Sequence, residues 1–116
     1  MDLQRARELV GAERARVEAA LRGLTGALGG EAALASQQTG EMDAGSELAT
    51  EMSDLAMIDD LRRRLDAVER AESRIDAGTF GRSVEAGAII PDARLEADPL
   101  AERTVEEQAR ADAGVR

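Results

Sequence analysis

The chain of 116 residues contains no Cys, His, Lys, Tyr or Trp, and Phe80 is its one aromatic residue. Without Cys, disulfides and thiol chemistry are excluded, and the redox compartment cannot be read from the sequence. Without His, the side chain that most often transfers protons near neutral pH is missing. Catalysis would depend on Ser, Thr, Asp, Glu and Arg alone. We therefore expect a protein that is not an enzyme and has no cofactor.

Positive charge is also scarce, because 15 basic residues stand against 24 acidic ones and give a net charge of −9. No basic run is long enough to neutralise many phosphates, and the acidic balance opposes docking on anionic lipid. No apolar run approaches the roughly 20 residues of a membrane span, and residues 1–8 lack the apolar core of a signal peptide. These features predict a cytoplasmic protein without direct nucleic-acid or membrane binding.

Aliphatic side chains supply most of the 43% hydrophobic content, which is typical of long helices and coiled coils. Residues 3–28 carry them at steps of three and four, interrupted by Gly11 and Glu13. After a connection without periodicity, Ser46 is the predicted N-cap of a second helix that ends at about Ala77. The apolar stripe of the second helix consists of Leu48, Met52, Leu55, Ile58, Leu61, Leu65, Val68 and Ile75.

These two stripes need partners. At 1.5 Å per residue, each helix is about 40 Å long, and so short a chain offers each helix no partner but the other. We expect an antiparallel coiled-coil hairpin over residues 1–77, with its tip at about residues 37–46. A homodimer of longer coiled coils would cover the same stripes and is the alternative, but a monomer is favoured.

Residues 78–116 have a different character, with three glycines in their first ten positions and two prolines beyond them. We expect a compact module with short strands near residues 82–83 and 88–89 and a terminal helix from Leu100 to about Ala111. The candidate core residues are Phe80, Ile89, Ile90, Leu95, Leu100 and Val105. The predicted fold is mainly α: a two-helix hairpin followed by this small module and its terminal helix.

The module carries a specific resemblance. Its sequence Gly78-Thr-Phe-Gly-Arg-Ser-Val-Glu-Ala-Gly87, followed by Ile90-Pro-Asp-Ala-Arg-Leu-Glu-Ala-Asp-Pro99, resembles the C-terminal zinc finger of the DksA/TraR family of bacterial RNA polymerase regulators. The family pattern is Gly-Thr-Tyr-Gly-x-Cys-x-x-Cys-Gly, then Ile-Pro-x-x-Arg-Leu-x-Ala-x-Pro, then Cys-x-x-Cys. The resemblance extends over about residues 43–108.

The four cysteine positions of that pattern fall here on Ser83, Ala86, Thr104 and Glu107, which cannot supply a tetrahedral zinc set. The resemblance therefore implies a zinc-finger-like module that is metal-free. We expect Ser83 and Thr104 to form hydroxyl-to-backbone hydrogen bonds, each worth about 1 kcal/mol, against a lost zinc contribution on the order of 10 kcal/mol. Glu107 is expected to face solvent.

The metal-free module should depend on the base of the hairpin for its stability. Arg94 and Glu96 lie in the best-preserved part of the motif. We expect both to tie the module to that base.

In the DksA/TraR family the coiled coil enters the secondary channel of RNA polymerase, and acidic tip residues, often in the pattern Asp-x-x-Asp-x-Ala, approach the active centre. That pattern falls here on Gly40, Asp43 and Gly45, so one Asp is kept, with Glu41 beside it. A carboxylate near the polymerase Mg²⁺ could perturb its coordination. The alternative is that Glu41 and Asp43 are solvated turn residues.

The run of Arg62, Arg63 and Arg64 has two interpretations. The three side chains could contact an acidic polymerase surface at the channel rim. The favoured interpretation is a solvated helix face on which they pair, one helical turn away, with Asp59, Asp60 and Asp66.

Family members that respond to ppGpp hold it partly with basic side chains at positions that correspond here to Ala67, Asp98 and Gln108. None of these three is basic. The resemblance therefore implies a regulator that binds RNA polymerase through the secondary channel, independently of zinc and of ppGpp. The alternative is a coiled-coil adaptor or oligomerisation protein that does not bind polymerase.

Overall fold

The computed structural model describes residues 1–29 and 44–114. Within these residues the chain forms helices α1 (Leu3–Gly29), α2 (Ala44–Ala77), α3 (Asp92–Ala97) and α4 (Val105–Asp112). The long helices α1 and α2 pack as a hairpin, which confirms the predicted mainly α fold. In place of the two expected strands, the described residues contain an isolated antiparallel bridge between Arg82 and Ile89.

Two helix starts differ from the sequence prediction. Helix α2 begins at Ala44, so Ser46 lies inside the helix and is not its N-cap. Helix α4 begins at Val105 and not at Leu100, because Thr104 and Glu107 form a capping box that fixes the start. The short helix α3 was not expected; Pro91 precedes it, with a φ of −58° that suits a helix start.

The chain divides into two compact units, of which the first consists of Met1–Glu13 and Ala67–Arg116. Its long-helix residues bury one continuous apolar face, made of Ala6, Val10, Val68, Ala71 and Ile75. In its C-terminal part, Ile90, Leu95 and Ala101 form a buried cluster, and Met1 and Phe80 pack against that cluster. This unit contains the base of the hairpin and the whole finger-like module.

Two of the predicted core residues are exposed instead. Ile89 is 70% exposed and Val105 is 58% exposed. Ile89 lies in the extended bridge with Arg82, where successive side chains point to opposite faces. Its neighbour Ile90 points to the buried face, so the side chain of Ile89 points to solvent. Val105 lies about 200° around helix α4 from Glu107, which is the buried residue of that helix.

The second unit, Arg14–Asp66, contains the remaining parts of α1 and α2. Val17 and Ile58 are its buried apolar residues. The predicted stripe fails towards the start of α2, where Leu48, Met52 and Leu55 are each more than half exposed.

The spacing explains this failure. From Met52 to Leu61 the apolar residues follow three successive steps of three, and each such step turns about 60° away from the previous direction. Met52 therefore lies about 120° around the helix from Ile58, whereas Glu47 and Asp54 lie within about 40° of it. The two acidic side chains are accordingly half-buried and the apolar ones face outward.

The end of α2 directs the chain into the finger-like module. Gly78 adopts a left-handed φ of 76°, and its N–H donates to the carbonyl of Ile75 at 3.2 Å. The carbonyl of Arg74 accepts from the N–H groups of Thr79 and Phe80 at 2.9 and 3.2 Å. These bonds satisfy the last carbonyls of the helix and place Phe80 against the buried cluster of the module.

Candidate functional site

The predicted tip residues, Glu41 and Asp43, lie outside the described residues. The other predicted positions are described, and four of them come together in the finger-like module. These are the residues at the cysteine positions of the DksA/TraR pattern: Ser83, Ala86, Thr104 and Glu107.

Ser83 lies at the centre of this group and is buried, with 6% of its surface exposed. Its Oγ accepts hydrogen bonds from the N–H groups of Ala86 and Ala88, at 3.1 and 3.2 Å. The same hydroxyl donates to Glu107 Oε2 at 3.1 Å. One donor and two acceptor positions are thus all used, which is the full capacity of a hydroxyl. The expected hydroxyl-to-backbone bonds of Ser83 are confirmed.

Glu107 occupies the opposite side of this cluster, and the expectation that it faces solvent is wrong: 4% of its surface is exposed. Its Oε1 accepts from the Thr104 N–H at 2.9 Å, and its own N–H donates to Thr104 Oγ1 at 3.2 Å. Together with the bond from Ser83, these contacts give both carboxylate oxygens a donor. A sequence signal for this was present, because Thr104-x-x-Glu107 has the spacing of a capping box.

The electrostatics of the cluster follow from these bonds. The hydrogen bond from the Thr104 N–H is the main cause of a pKa of Glu107 below its usual range, and burial opposes it. The bonds involving the side chains of Thr104 and Ser83, with the charge of Arg110, also lower this pKa. The cluster therefore holds Glu107 as a carboxylate.

We expect acid to weaken the module through Glu107. Because its folded pKa lies below the unfolded value of about 4.3, its contribution to stability is present above that value and is lost as the pH falls through the folded pKa. Urea unfolding near neutral pH and at about pH 3.5 should show a smaller loss of stability for Glu107→Gln than for the unchanged protein. Glu106→Gln, at an exposed neighbour, is the control and should keep the full loss. Equal losses in the unchanged protein and in Glu107→Gln would contradict this role.

The cluster does not fit a zinc ion. Zinc takes four ligands from Cys, His or carboxylate side chains, whereas Ala86 offers no side-chain donor and the two oxygens of Glu107 already accept hydrogen bonds. Across the residues described, no group of three or more His, Cys, Asp or Glu side chains could hold a metal ion. The chemistry of these side chains is that of a hydrogen-bonded closure of the module.

A bidentate ion pair ties the module to helix α1 within the first unit. Arg5 Nε lies 2.8 Å from Glu96 Oε1, and Arg5 Nη2 lies 2.6 Å from Glu96 Oε2. The pair lowers the pKa of Glu96 and raises that of Arg5, mainly through these hydrogen bonds. The predicted role of Glu96 at the hairpin base is confirmed. Arg94 instead stays within the module, where its Nε donates to the Arg103 carbonyl at 2.9 Å.

A second tie joins the module to helix α2 through Glu102, which sequence reasoning missed. Arg70 Nη2 lies 2.9 Å from Glu102 Oε1, and Arg74 Nη1 lies 3.5 Å from Glu102 Oε2. Burial is the main cause of a lowered pKa of Arg74, and the charge of Arg70 adds to it, while Glu102 opposes it. The sequence held no signal for this contact, because Arg70 and Glu102 are 32 residues apart.

The arginine run on α2 is exposed at all three positions. Arg63 pairs with Asp59 and Asp60, four and three residues earlier on the same helix. This agrees with the favoured interpretation of a solvated face for Arg63. Exposed pairs of this kind contribute little to stability, because solvent and salt screen them.

The three positions aligned with ppGpp-holding side chains have local roles. Ala67 is half-buried on α2. Asp98 Oδ1 accepts from the Leu100 N–H at 3.2 Å, and Gln108 Nε2 donates to Asp112 Oδ1 at 2.9 Å. The side chains of Asp98 and Gln108 are therefore engaged in holding the backbone turn before Leu100 and the end of α4.

Comparisons with known proteins support the fold. No protein-family model and no curated protein matches the chain in sequence. In the described helices, none is long and apolar enough to cross a membrane. Among solved structures, the chain is similar to the transcription factor DksA2 from Pseudomonas aeruginosa, with 22% sequence identity and a TM-score of 0.76. The match covers 97% of this chain and 84% of that one, which supports a DksA-like fold for the chain.

Proposed function

We propose that this chain regulates transcription by binding RNA polymerase through its secondary channel, as a monomer in the cytoplasm. The observation that carries the proposal is the similarity of almost the whole chain to the fold of a transcription factor. The finger motif and the carboxylate retained at Asp43 point the same way. The description of the similar protein as a transcription factor also agrees with the expectation that the chain is not an enzyme.

The proposed mechanism assigns binding and effect to different parts of the chain. The hairpin enters the channel, and Asp43, with Glu41 beside it, acts near the polymerase Mg²⁺, where a carboxylate competes for or redirects metal coordination. Arg62, Arg63 and Arg64 are candidate contacts at the channel rim.

The finger-like module needs no zinc because the cluster around Ser83 and Glu107 closes it. Since Ala67, Asp98 and Gln108 carry no positive charge, the proposed regulator acts without ppGpp.

The test begins with co-elution of the purified protein and bacterial core RNA polymerase on a sizing column at low and moderate salt. Displacement by a secondary-channel competitor would support the proposed binding site. Asp43→Asn should then abolish the effect on transcription in vitro while binding is largely kept. Asp76→Asn, a change of equal charge at an exposed position of the first unit, is the control. An unchanged transcriptional effect in Asp43→Asn would remove Asp43 from the mechanism.

One observation favours the alternative of a coiled-coil adaptor or oligomerisation protein. Leu48, Met52 and Leu55 form an outward apolar face on α2, exposed by 57, 61 and 57%. Faces of this kind often mark protein contacts. The same sizing column separates the two functions: a stable dimer or larger species that does not co-elute with polymerase would favour the adaptor.

A further inference from the structure

The sequence offers a mild oxidant few targets. Cys, His, Tyr and Trp are absent, and the sulfur of the chain is that of its four Met residues. A Met thioether takes up one oxygen atom to become a sulfoxide, and methionine sulfoxide reductases reverse the reaction. Oxidation of this chain by a peroxide is therefore directed to the methionines, and the exposure of each one decides how readily it reacts.

The three methionines that the structure describes differ widely in exposure. The side chain of Met1 is 3% exposed and packs against the buried cluster of the finger-like module. Met52 and Met57 lie on helix α2 and are exposed by 61 and 50%. The fold thus shields one thioether from a dissolved oxidant and presents two others to it. The fourth methionine, Met42, lies outside the described residues.

Met52 lies within the outward apolar face of α2, which it forms with Leu48 and Leu55. These residues are four positions before it and three after it, so all three side chains leave the helix within an arc of about 60°. Met57 is about 140° around the helix from Met52 and lies outside this face. Of the two exposed methionines, Met52 is therefore the one whose oxidation places a polar group among apolar neighbours.

We propose that Met52 is a site of reversible oxidation, at which a peroxide makes the outward apolar face of α2 polar. The sulfur lone pair attacks one oxygen of hydrogen peroxide, so an S–O bond forms while the O–O bond breaks. The proton of the transferred oxygen passes to the departing hydroxide, which leaves as water. The sulfur loses two electrons and the peroxide gains them. A sulfoxide is polar where the thioether was apolar, so the face loses the central part of its apolar surface.

The fold is expected to survive this oxidation. Met52 is exposed, so the added oxygen neither opens a cavity nor displaces a packed neighbour. Oxidation of Met1 would instead place a polar oxygen against the buried cluster of the module. The site does not depend on the proposed function in transcription, because the reaction needs only the exposed thioether and the peroxide.

The first experiment treats the folded protein with dilute hydrogen peroxide and follows each methionine by tandem mass spectrometry. Met52 and Met57 should oxidise at least about tenfold faster than Met1. In concentrated urea the rates should converge, because unfolding exposes Met1. The helical circular dichroism signal should stay unchanged while Met52 is oxidised. Equal rates for Met1 and Met52 in the folded protein, or loss of that signal, would overturn the proposal.

The second experiment tests the change of the apolar face by retention of the native protein on a hydrophobic interaction column. Every chain carries Met42→Leu, so that the exposed methionines of α2 are compared alone. Peroxide should shorten the retention of the chain with Met57→Leu, and a methionine sulfoxide reductase should restore it. Met52→Leu is the matched variant, since Leu keeps the face apolar and takes up no oxygen, and its retention should change far less. An equal shortening in both variants would overturn the assignment to Met52.

Discussion

A variant with Ser83→Cys, Ala86→Cys, Thr104→Cys and Glu107→Cys should bind one zinc ion and unfold at a markedly higher temperature with zinc than without it. The four positions lie around one point, since Ser83 contacts the Ala86 N–H and the Glu107 carboxylate, and Glu107 contacts Thr104. Four thiolates there have the ligand number and type of a structural zinc site. Zinc binding at such sites is worth on the order of 10 kcal/mol in peptides that fold only with metal.

The same variant without metal should be less stable than the unchanged chain, because the substitutions remove every side-chain hydrogen bond of the cluster. Cobalt absorption would report a tetrahedral thiolate site, and thermal unfolding with and without zinc would report the gain. A chain with Ser83→Cys and Ala86→Cys alone is the control and should bind far more weakly. If the fourfold variant shows no tetrahedral cobalt spectrum, the four residues do not occupy vacated zinc-ligand positions.

The second large effect is expected from Ser83→Ala. Removing this hydroxyl leaves the N–H groups of Ala86 and Ala88 and one oxygen of Glu107 without their partner. Each unsatisfied buried group costs about 1–3 kcal/mol, so the partly buried set should lower the free energy of unfolding by roughly 3 kcal/mol. For a domain of this size that corresponds to a fall in the melting temperature of roughly 10 °C.

Ser73→Ala provides the comparison, because Ser73 is exposed within helix α2 and Ala suits a helix interior better than Ser. Its melting temperature should stay the same or rise slightly. Thermal unfolding followed by circular dichroism measures both variants under one set of conditions. A melting temperature of Ser83→Ala within about 2 °C of the unchanged protein would show that the cluster does not hold the module together.

The long helices were predictable because their apolar steps extend over many turns, and α1 ends within one residue of the expected position. The direction of each helix face was harder to predict. In α2, apolar residues recur at regular steps of three between Met52 and Leu61. Each step of three turns the apolar stripe further around the helix and away from α1. Counting the apolar residues at steps of three or four does not detect this rotation. Adding up the 100° turn per residue along the helix does detect it.

The finger-like module shows a second limit of prediction from sequence. Its motif predicted the four positions that come together, but side-chain type alone made Glu107 appear to be a surface residue. A buried carboxylate is stable only when donors surround it, and those donors come from Ser83 and Thr104, 24 and three residues away along the chain. Contacts such as Arg5 with Glu96 and Arg70 with Glu102 depend in the same way on three-dimensional proximity, which the sequence pattern does not encode.

The separation between Arg5 and Glu96 bears on the order in which the molecule assembles. These partners are 91 residues apart, and the unit they stabilise joins Met1–Glu13 to Ala67–Arg116. The entropy lost on closing a loop grows with the length of the loop. We therefore expect Met1–Glu13 to pack against Ala67–Arg116 after the turns of each helix have formed. On the ribosome, Arg5 must wait until Glu96 has emerged. The apolar face of α1 likewise stays uncovered until the residues of α2 that complete the buried face, Val68, Ala71 and Ile75, have been made.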